Sequence, residues 1–489
     1  MIMERPEVKF TQLFINNEFV NNKVGQTFEV EDPSTQKTIC RVQEGDPADI
    51  DLAVKAAARA FEIDSTWRTM DASKRGRLLY ELADLIEQNA DYIARLEALD
   101  VGKPVRDARG DVEFAVKLTR YFAGYADKLH GKVIPVDGNS VCWTRHEPVG
   151  VVGIITPWNY PFLLVVLKIA GALCAGCTVV VKPAEFTPLS AIFLASLIHQ
   201  VGFPPGVVNI VPGFGVTAGA ALARHPLVDA ISFTGSTVVG KVVEQTAAET
   251  TKRIALELGG KSALIIFADA DFVKAAQTAH YYAMVNAGQC CIAATRTFVQ
   301  DEIYDRMVQR LKELAEERRV GDPFDAATIQ GTQVNKIQFD RVMKYIEVGK
   351  KEGARLVTGG ERVGDRGYFI QPTVFADVTD DMTIAREEIF GPVQSILRFS
   401  TLEEVIRRAN SSDYGLGGGV FTSDMDKAMR VAQSLRTGSV WINSYLVWNA
   451  ASPFGGMKRS GVGREMSKYH LEHLTEVKMI SMPISLKNS

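Results

Sequence analysis

The sequence predicts a doubly wound α/β fold, and three observations carry that prediction. From Val149 to Leu258 short β-rich apolar runs alternate with longer helical ones. Continuous apolar strands set between helices mark a parallel sheet covered on both faces. A second series of the same kind begins after Gly259-Gly260-Lys261. The chain has 489 residues, enough for about three domains rather than one core.

Element by element, Ile50–Phe61, Ala72–Glu97 and Gly110–Leu129 carry apolar residues at three- and four-residue spacing. That period predicts amphipathic helices, packed on one edge of the sheet. The first core then reads strand Val149–Ile155, helix Phe162–Gly176, strand Thr178–Lys182, helix Ser190–Gln200, strand Val207–Val211 and helix Thr217–Arg224. It closes with strand Ala230–Phe233, helix Val238–Glu249 and strand Ile254–Leu258. Turn chemistry falls where connections are needed, at Gly202-Phe203-Pro204-Pro205-Gly206 and Pro212-Gly213-Phe214-Gly215. The second core starts with strand Ser262–Phe267 and helix Ala270–Met284. It continues through helices Asp305–Arg318, Gln338–Glu352 and Leu402–Ala409 to about Tyr469. Lys132–His146 and the tail Glu476–Ser485 alternate like exposed strands, which predicts an added sheet that reaches a neighbouring subunit. Phe162–Val181 is the most apolar stretch, but Lys168 interrupts it and Pro161 and Pro183 border it, so a buried helix and strand are expected there, not a membrane span.

Composition excludes several function classes. Lys plus Arg is 55 against 58 for Asp plus Glu, a net charge of −3, so no bulk attraction to nucleic acid or an anionic membrane is expected. The six cysteines are sparse and unevenly spaced, which is no disulfide framework and fits a reducing compartment. Met1–Phe10 mixes charges of both signs without an apolar signal core, and a cytoplasmic protein is expected. The seven histidines form no metal-ligand spacing, and no metal site is expected.

Four constellations carry chemistry. Gly288-Gln289-Cys290-Cys291 falls between a helix and a strand, where a thiol can reach a ligand; two buried small side chains are the alternative. The CxxC pair Cys174 and Cys177 ends an apolar helix with no cation nearby, and packing explains it better than redox chemistry. Leu256-Glu257-Leu258-Gly259-Gly260-Lys261 sets a carboxylate at the C-terminal end of a strand, where open α/β sheets bind ligands. Flanking leucines would desolvate Glu257 and suit it to general-base work, while pairing with Lys261 is the alternative. Phe233-Thr234-Gly235-Ser236 opens a helix whose free N–H groups suit an anion. It nearly spells a phosphate-binding P-loop, but Val242 stands where a magnesium-binding hydroxyl is needed, which rejects phosphoryl transfer. Last, Pro157-Trp158-Asn159-Tyr160-Pro161 fixes an amide donor between prolines, and Lys182-Pro183-Ala184-Glu185 puts a Lys/Glu pair past a strand end. These could hold an oxyanion and ribose hydroxyls, or form a plain turn with a surface ion pair.

The order of these stretches resembles the aldehyde dehydrogenase superfamily, nearest its animal class 1/class 2 members, from Phe14 to the Lys487-Asn488 tail. Glu387-Glu388-Ile389-Phe390-Gly391-Pro392 and Ser452-Pro453-Phe454-Gly455-Gly456 complete the set. The resemblance implies a Rossmann-like NAD-binding domain at 1–129 and 149–259, a catalytic domain at 260–469 and a small oligomerisation sheet at 130–148 and 470–489. It implies a homo-oligomer, with a tetramer favoured over a dimer, and a small-molecule aldehyde, aliphatic or retinal-like, as substrate. Cys291 matches the nucleophile, with Asn159 and the Cys291 N–H holding the oxyanion and Glu257 activating water. Lys182, Glu185, Trp158, Gly235, Ser236, Glu388 and Phe390 match NAD-binding positions, and the Glu185 carboxylate would repel a 2′-phosphate. Tyr160, Leu164, Leu167, Trp448 and Phe454 match the substrate tunnel. The chain departs from the family at Leu167, where an aromatic residue is usual, and at Trp448, which adds bulk near the tunnel mouth. It also has Gly171, Val216, Thr332 and Ala263 where proline is usual. Some members of the family serve as lens crystallins, which makes a structural protein on this fold the alternative function.

Overall fold

The computed structural model describes residues 2–485; Met1 and residues 486–489, with the end of the expected 470–489 segment and the Lys487-Asn488 tail, lie outside them. Two large sheets dominate. In the first, five strands run parallel in the order Val208–Ile210, Thr178–Lys182, Val151–Ile155, Ala230–Thr234, Arg253–Glu257. Leu13–Ile15 and Gly461–Val462 cover its two sides antiparallel. The chain order reverses about Val151–Ile155, and at such a switch point the strand ends open a crevice. Its strands are buried on both faces, which is why they read as unbroken apolar runs. The second sheet has seven strands, its parallel centre running Thr373–Ala376, Val393–Phe399, Arg296–Gln300, Ala263–Ile266, Gly417–Phe421, Ser439–Ile442. A third, antiparallel sheet pairs Thr475–Pro483 with Ser140–Pro148 through nine consecutive register pairs and adds Val133–Ile134. The two alternating segments therefore pair with each other within the chain.

The helix Pro161–Ala175 sits at the heart of the first unit. Pro161 opens it at a position that needs no N–H donor, and Gly176 closes it in the left-handed conformation, φ +94°. It packs against Val105–Ala123, which starts after Pro104 rather than at Gly110 and stops at Gly124. The long helix expected over Ala72–Glu97 is two helices, Ala72–Gln88 and Ala90–Asp100. Asn89 separates them because its side-chain amide donates to the Leu85 carbonyl at 2.8 Å and competes with the backbone ladder. Thr217–Arg224 is a π-helical turn, Gly215–Gly219, leading into Ala220–Arg224. Among the described residues no helix is long and apolar enough to cross a membrane.

Candidate active site

The strand ends of the first sheet and the loops of the second face each other across a cavity of about 620 Å³. The residues that the resemblance assigns to the site all line it: Cys291, Glu257 and Asn159; the positions expected to hold the dinucleotide; and Tyr160, Leu164, Leu167, Trp448 and Phe454.

Cys291 arrives on a tightly folded loop. Asn286 (φ +50°), Ala287 (φ +54°) and Gly288 (φ +73°) are consecutive left-handed residues, two of which carry side chains. A Cβ on Gly288 would lie 1.9 Å from the Gly391 carbonyl oxygen, so only glycine allows the loop to seat there. Side chains hold the strained path in place. Gln289 donates to the Asn286 and Thr332 carbonyls, both at 3.1 Å, and accepts from the Val334 N–H at 2.9 Å. Gln333 donates to the Ala287 carbonyl at 3.1 Å. Thr332 is thus tied into the loop. Cys290 is buried and Cys291 half-buried, which separates the packed thiol from the accessible one.

Asn159 follows the strand Val151–Ile155 and is buried. Its Nδ2 donates to the Gln289 carbonyl at 3.1 Å, and its own carbonyl accepts from Asn286 Nδ2 at 3.0 Å. One amide proton of Asn159 is therefore spent on fixing the group, and the second is free. The Cys291 N–H likewise donates to no acceptor among the described residues.

Glu257 ends the strand Arg253–Glu257, 2% exposed, and its Oε1 has no hydrogen-bond partner among the described residues. The ion pair with Lys261, the alternative the sequence allowed, is not made. Burial, and then the Glu465 carboxylate, push the Glu257 carboxyl well above its usual range, while contact with the Cys291 thiol works the other way. The Cys291 thiol is held well above its ordinary value by its hydrogen bond with Cys290, by burial and by Glu257. The resting thiol is thus neutral, and the raised Glu257 carboxyl makes a stronger base for it once ionised. Behind it Lys168 is buried, bonded to the Glu465 carboxylate and to Ser232 Oγ at 2.9 Å. Glu465 escaped the sequence reading because it lies 297 residues from Lys168 and carries no local signature.

The other end of the cavity is polar. Ser236 caps the helix Thr237–Ala248, accepting from the Val239 N–H at 3.3 Å, and leaves the helix N-terminus facing the cleft. Lys182 Nζ reaches Glu185 Oε2 at 3.1 Å and the Gly213 carbonyl at 2.8 Å; burial lowers its pKa, and Glu185 offsets part of that. Glu388 Oε1 accepts from the Gly260 N–H at 2.9 Å, and burial carries its carboxyl to about 7. A Cβ on Gly259 would stand 2.4 Å from Glu388 Oε2, so the paired glycines make room for that carboxyl. Phe390, at φ +62°, meets Trp158 edge to face with centroids 5.3 Å apart. Helix-terminal donors at one end and carboxyls able to accept ribose hydroxyls at the other are the chemistry a dinucleotide requires. The CxxC cysteines lie elsewhere, buried, with thiols pushed up to about 12 at Cys174 and about 11 at Cys177. Among the described residues no cluster could hold a metal ion.

Fold and cleft together define an α/β enzyme that takes a dinucleotide across its strand ends and an apolar substrate in the same crevice. The chain belongs to the aldehyde dehydrogenase family, whose pattern it matches over residues 19–480. It is 55% identical to retinaldehyde dehydrogenase 3 of Mus musculus over 484 residues, covering 99% of this chain and 94% of that one. It is 55% identical to the mitochondrial aldehyde dehydrogenase of Homo sapiens over 488 residues, with the same coverage. The NAD+ complex of an aldehyde dehydrogenase from Bacillus cereus superposes with a TM-score of 0.97 at 48% identity, covering 99% of this chain and all of that one. With the family come the reaction class, NAD-dependent oxidation of an aldehyde, and the cofactor.

Proposed function

We propose that this chain oxidises aliphatic or retinal-like aldehydes to carboxylic acids, with Cys291 as nucleophile, Glu257 as base and Asn159 as oxyanion donor. The observation that carries this reading is that the three line one cavity, with Glu257 in contact with the Cys291 thiol. Glu257 takes the proton of the Cys291 thiol, and the thiolate adds to the aldehyde carbon to give a thiohemiacetal. The free Asn159 amide proton and the Cys291 N–H face the oxygen that gains charge. NAD, when bound, supplies the hydride acceptor. Glu257 gives the thiol proton up to solvent, and its carboxylate then takes a proton from the water that cleaves the Cys291 thioester, releasing the acid and the thiol.

Lys182, Glu185, Trp158, Gly235, Ser236, Glu388 and Phe390 hold the dinucleotide in this reading. The domain division into 1–129 with 149–259, 260–469, and 130–148 with 470–489 follows from it. The exposed third sheet supports a homo-oligomer, a tetramer before a dimer. Six free cysteines support a reducing, cytoplasmic setting. No observation favours the crystallin alternative.

The test is purified protein with NAD and a panel of short, long and retinoid aldehydes. NADH should form with at least one and disappear in Cys291→Ala. If no aldehyde yields NADH above the Cys291→Ala background, the reading fails. NADP turnover equal to that with NAD would remove the role given to Glu185.

A further inference from the structure

The outer part of the cavity is walled by aromatic rings that nothing in the reaction itself requires. Phe114, on the helix Val105–Ala123, lies 6.1 Å from Trp448 between ring centroids, with the planes at 56°. Trp448 in turn lies 4.7 Å from Phe454, at 60°. Phe114 lies more than three hundred residues from Trp448 and Phe454 in sequence, yet the three rings pack in series and all line the cavity. Phe454 is buried, and Phe114 and Trp448 are half-buried, so the wall is anchored at its inner end and open to a ligand at its outer end.

Asp111, which lines the cavity from the same helix as Phe114, is already neutralised. Lys103 Nζ lies 2.7 Å from Asp111 Oδ2, and Lys103 itself is buried over the Tyr160 ring at 4.1 Å. The pair leaves no net charge to recruit an ammonium group and no accessible cation to recruit a carboxylate. Leu164, Leu167 and Leu446 add aliphatic surface to the cavity, and Tyr160, Tyr281 and Tyr282 add uncharged rings.

We propose that Phe114, Trp448 and Phe454 form a continuous aromatic wall that selects uncharged aldehydes with a flat, conjugated body over saturated alkyl chains of similar length. This rests on the reading of Cys291 as nucleophile, since it concerns what that thiol is offered. A flat π-system meets the wall by offset stacking or edge-to-face contact. Each such contact adds affinity beyond area burial, worth roughly 2- to 10-fold. A flexible saturated chain gains only burial and loses rotational freedom on entering.

The experiment compares kcat/KM for 3-phenylpropenal and hexanal on the wild-type enzyme and on Trp448→Leu, Phe114→Leu and Trp448→Phe, with saturating NAD. Taking the aromatic-to-aliphatic ratio within each protein cancels differences in folded fraction. Comparing that ratio between proteins cancels the intrinsic reactivity of the two carbonyls. The ratio should fall about tenfold in Trp448→Leu, fall in the same direction in Phe114→Leu, and be held within about twofold by Trp448→Phe. A ratio unchanged or raised in both leucine variants, while hexanal still yields NADH, overturns the wall and leaves the Cys291 reading standing. Absence of NADH from every aldehyde overturns both. A third substrate, trimethylammonioacetaldehyde, covers the remaining case. If its ratio to hexanal falls in Trp448→Leu while that of 3-phenylpropenal does not, the rings are a cation cage and the proposal fails.

Discussion

Glu257 and Glu97 show how burial of a single carboxyl sets opposite experimental signatures. Glu257 is raised by burial and by Glu465, so its basic form accumulates only as pH climbs through that raised value. In the proposed mechanism, thioester hydrolysis should therefore accelerate with pH on its acid side. Glu257→Gln should abolish that limb and slow turnover by about 10²-fold or more, while a single-turnover burst of NADH remains at high pH. A pH profile of kcat with the same limb in the variant would assign the base elsewhere. Glu97 does no chemistry. It is fully buried, accepts from the Phe162 N–H at 3.1 Å and from Ser190, and burial carries it to about 7 against the partial relief of Lys103. Between its ordinary value of 4.5 and about 7 the folded chain keeps a proton that the unfolded chain releases. Stability thus falls as pH rises through that window and is level above it. Glu97→Gln removes the titration and keeps an acceptor, so its melting temperature should exceed that of wild type at about pH 8. The gap, at most roughly 3 kcal/mol, should close towards pH 4.5. Equal melting curves at both pH values would show that Glu97 is not paying for its burial.

Within the elements, the helix Pro161–Ala175 carries a glycine that makes sense only with its neighbour. A Cβ on Gly171 would lie 2.8 Å from the His470 ring. His470 is buried, accepts from the Met466 N–H at 3.3 Å, and meets Phe122 edge to face at 5.6 Å. Burial lowers it to about 3, so it stays neutral at neutral pH. The glycine is therefore the space into which the imidazole fits. Gly171→Ala should lower stability by about 1–3 kcal/mol, despite the better helix propensity of alanine, worth about 1 kcal/mol. Adding His470→Ala should return part of the loss in thermal unfolding. If the double variant is no better than the sum of the two singles, the ring and the glycine are not coupled. The same element shows the reach and limit of periodicity. Its apolar run was legible as a buried helix. The break at Asn89 and the π-turn at Gly215–Gly219 were not, because both arise where one side chain or one turn competes locally with the backbone ladder.

For the whole molecule, the third sheet leaves both its edge strands unpaired among the described residues. Thr475–Pro483 and Val133–Ile134 are its two edge strands, and Val477 (63% exposed), Met479 and Val133 present apolar side chains to solvent. Edges of this kind are a liability unless covered, which supports the proposed homo-oligomer. Val477→Asp with Met479→Asp should shift light-scattering mass towards smaller species while circular dichroism keeps its helix and strand content. Unchanged mass would place the subunit contact elsewhere. The sequence by itself determined the two alternating series, the strand-end positions of Glu257 and Lys182, the loop position of Cys291 and the alternation of the third sheet. Each of these is written in a period or a turn within one strand–loop–helix unit. Only the tertiary structure decided which thiol is accessible, that Glu257 is free of Lys261 and answers to Glu465, and that Phe114 touches Trp448. Those contacts join residues hundreds of positions apart, and burial and electrostatic neighbours act through space, so no local pattern in the chain encodes them.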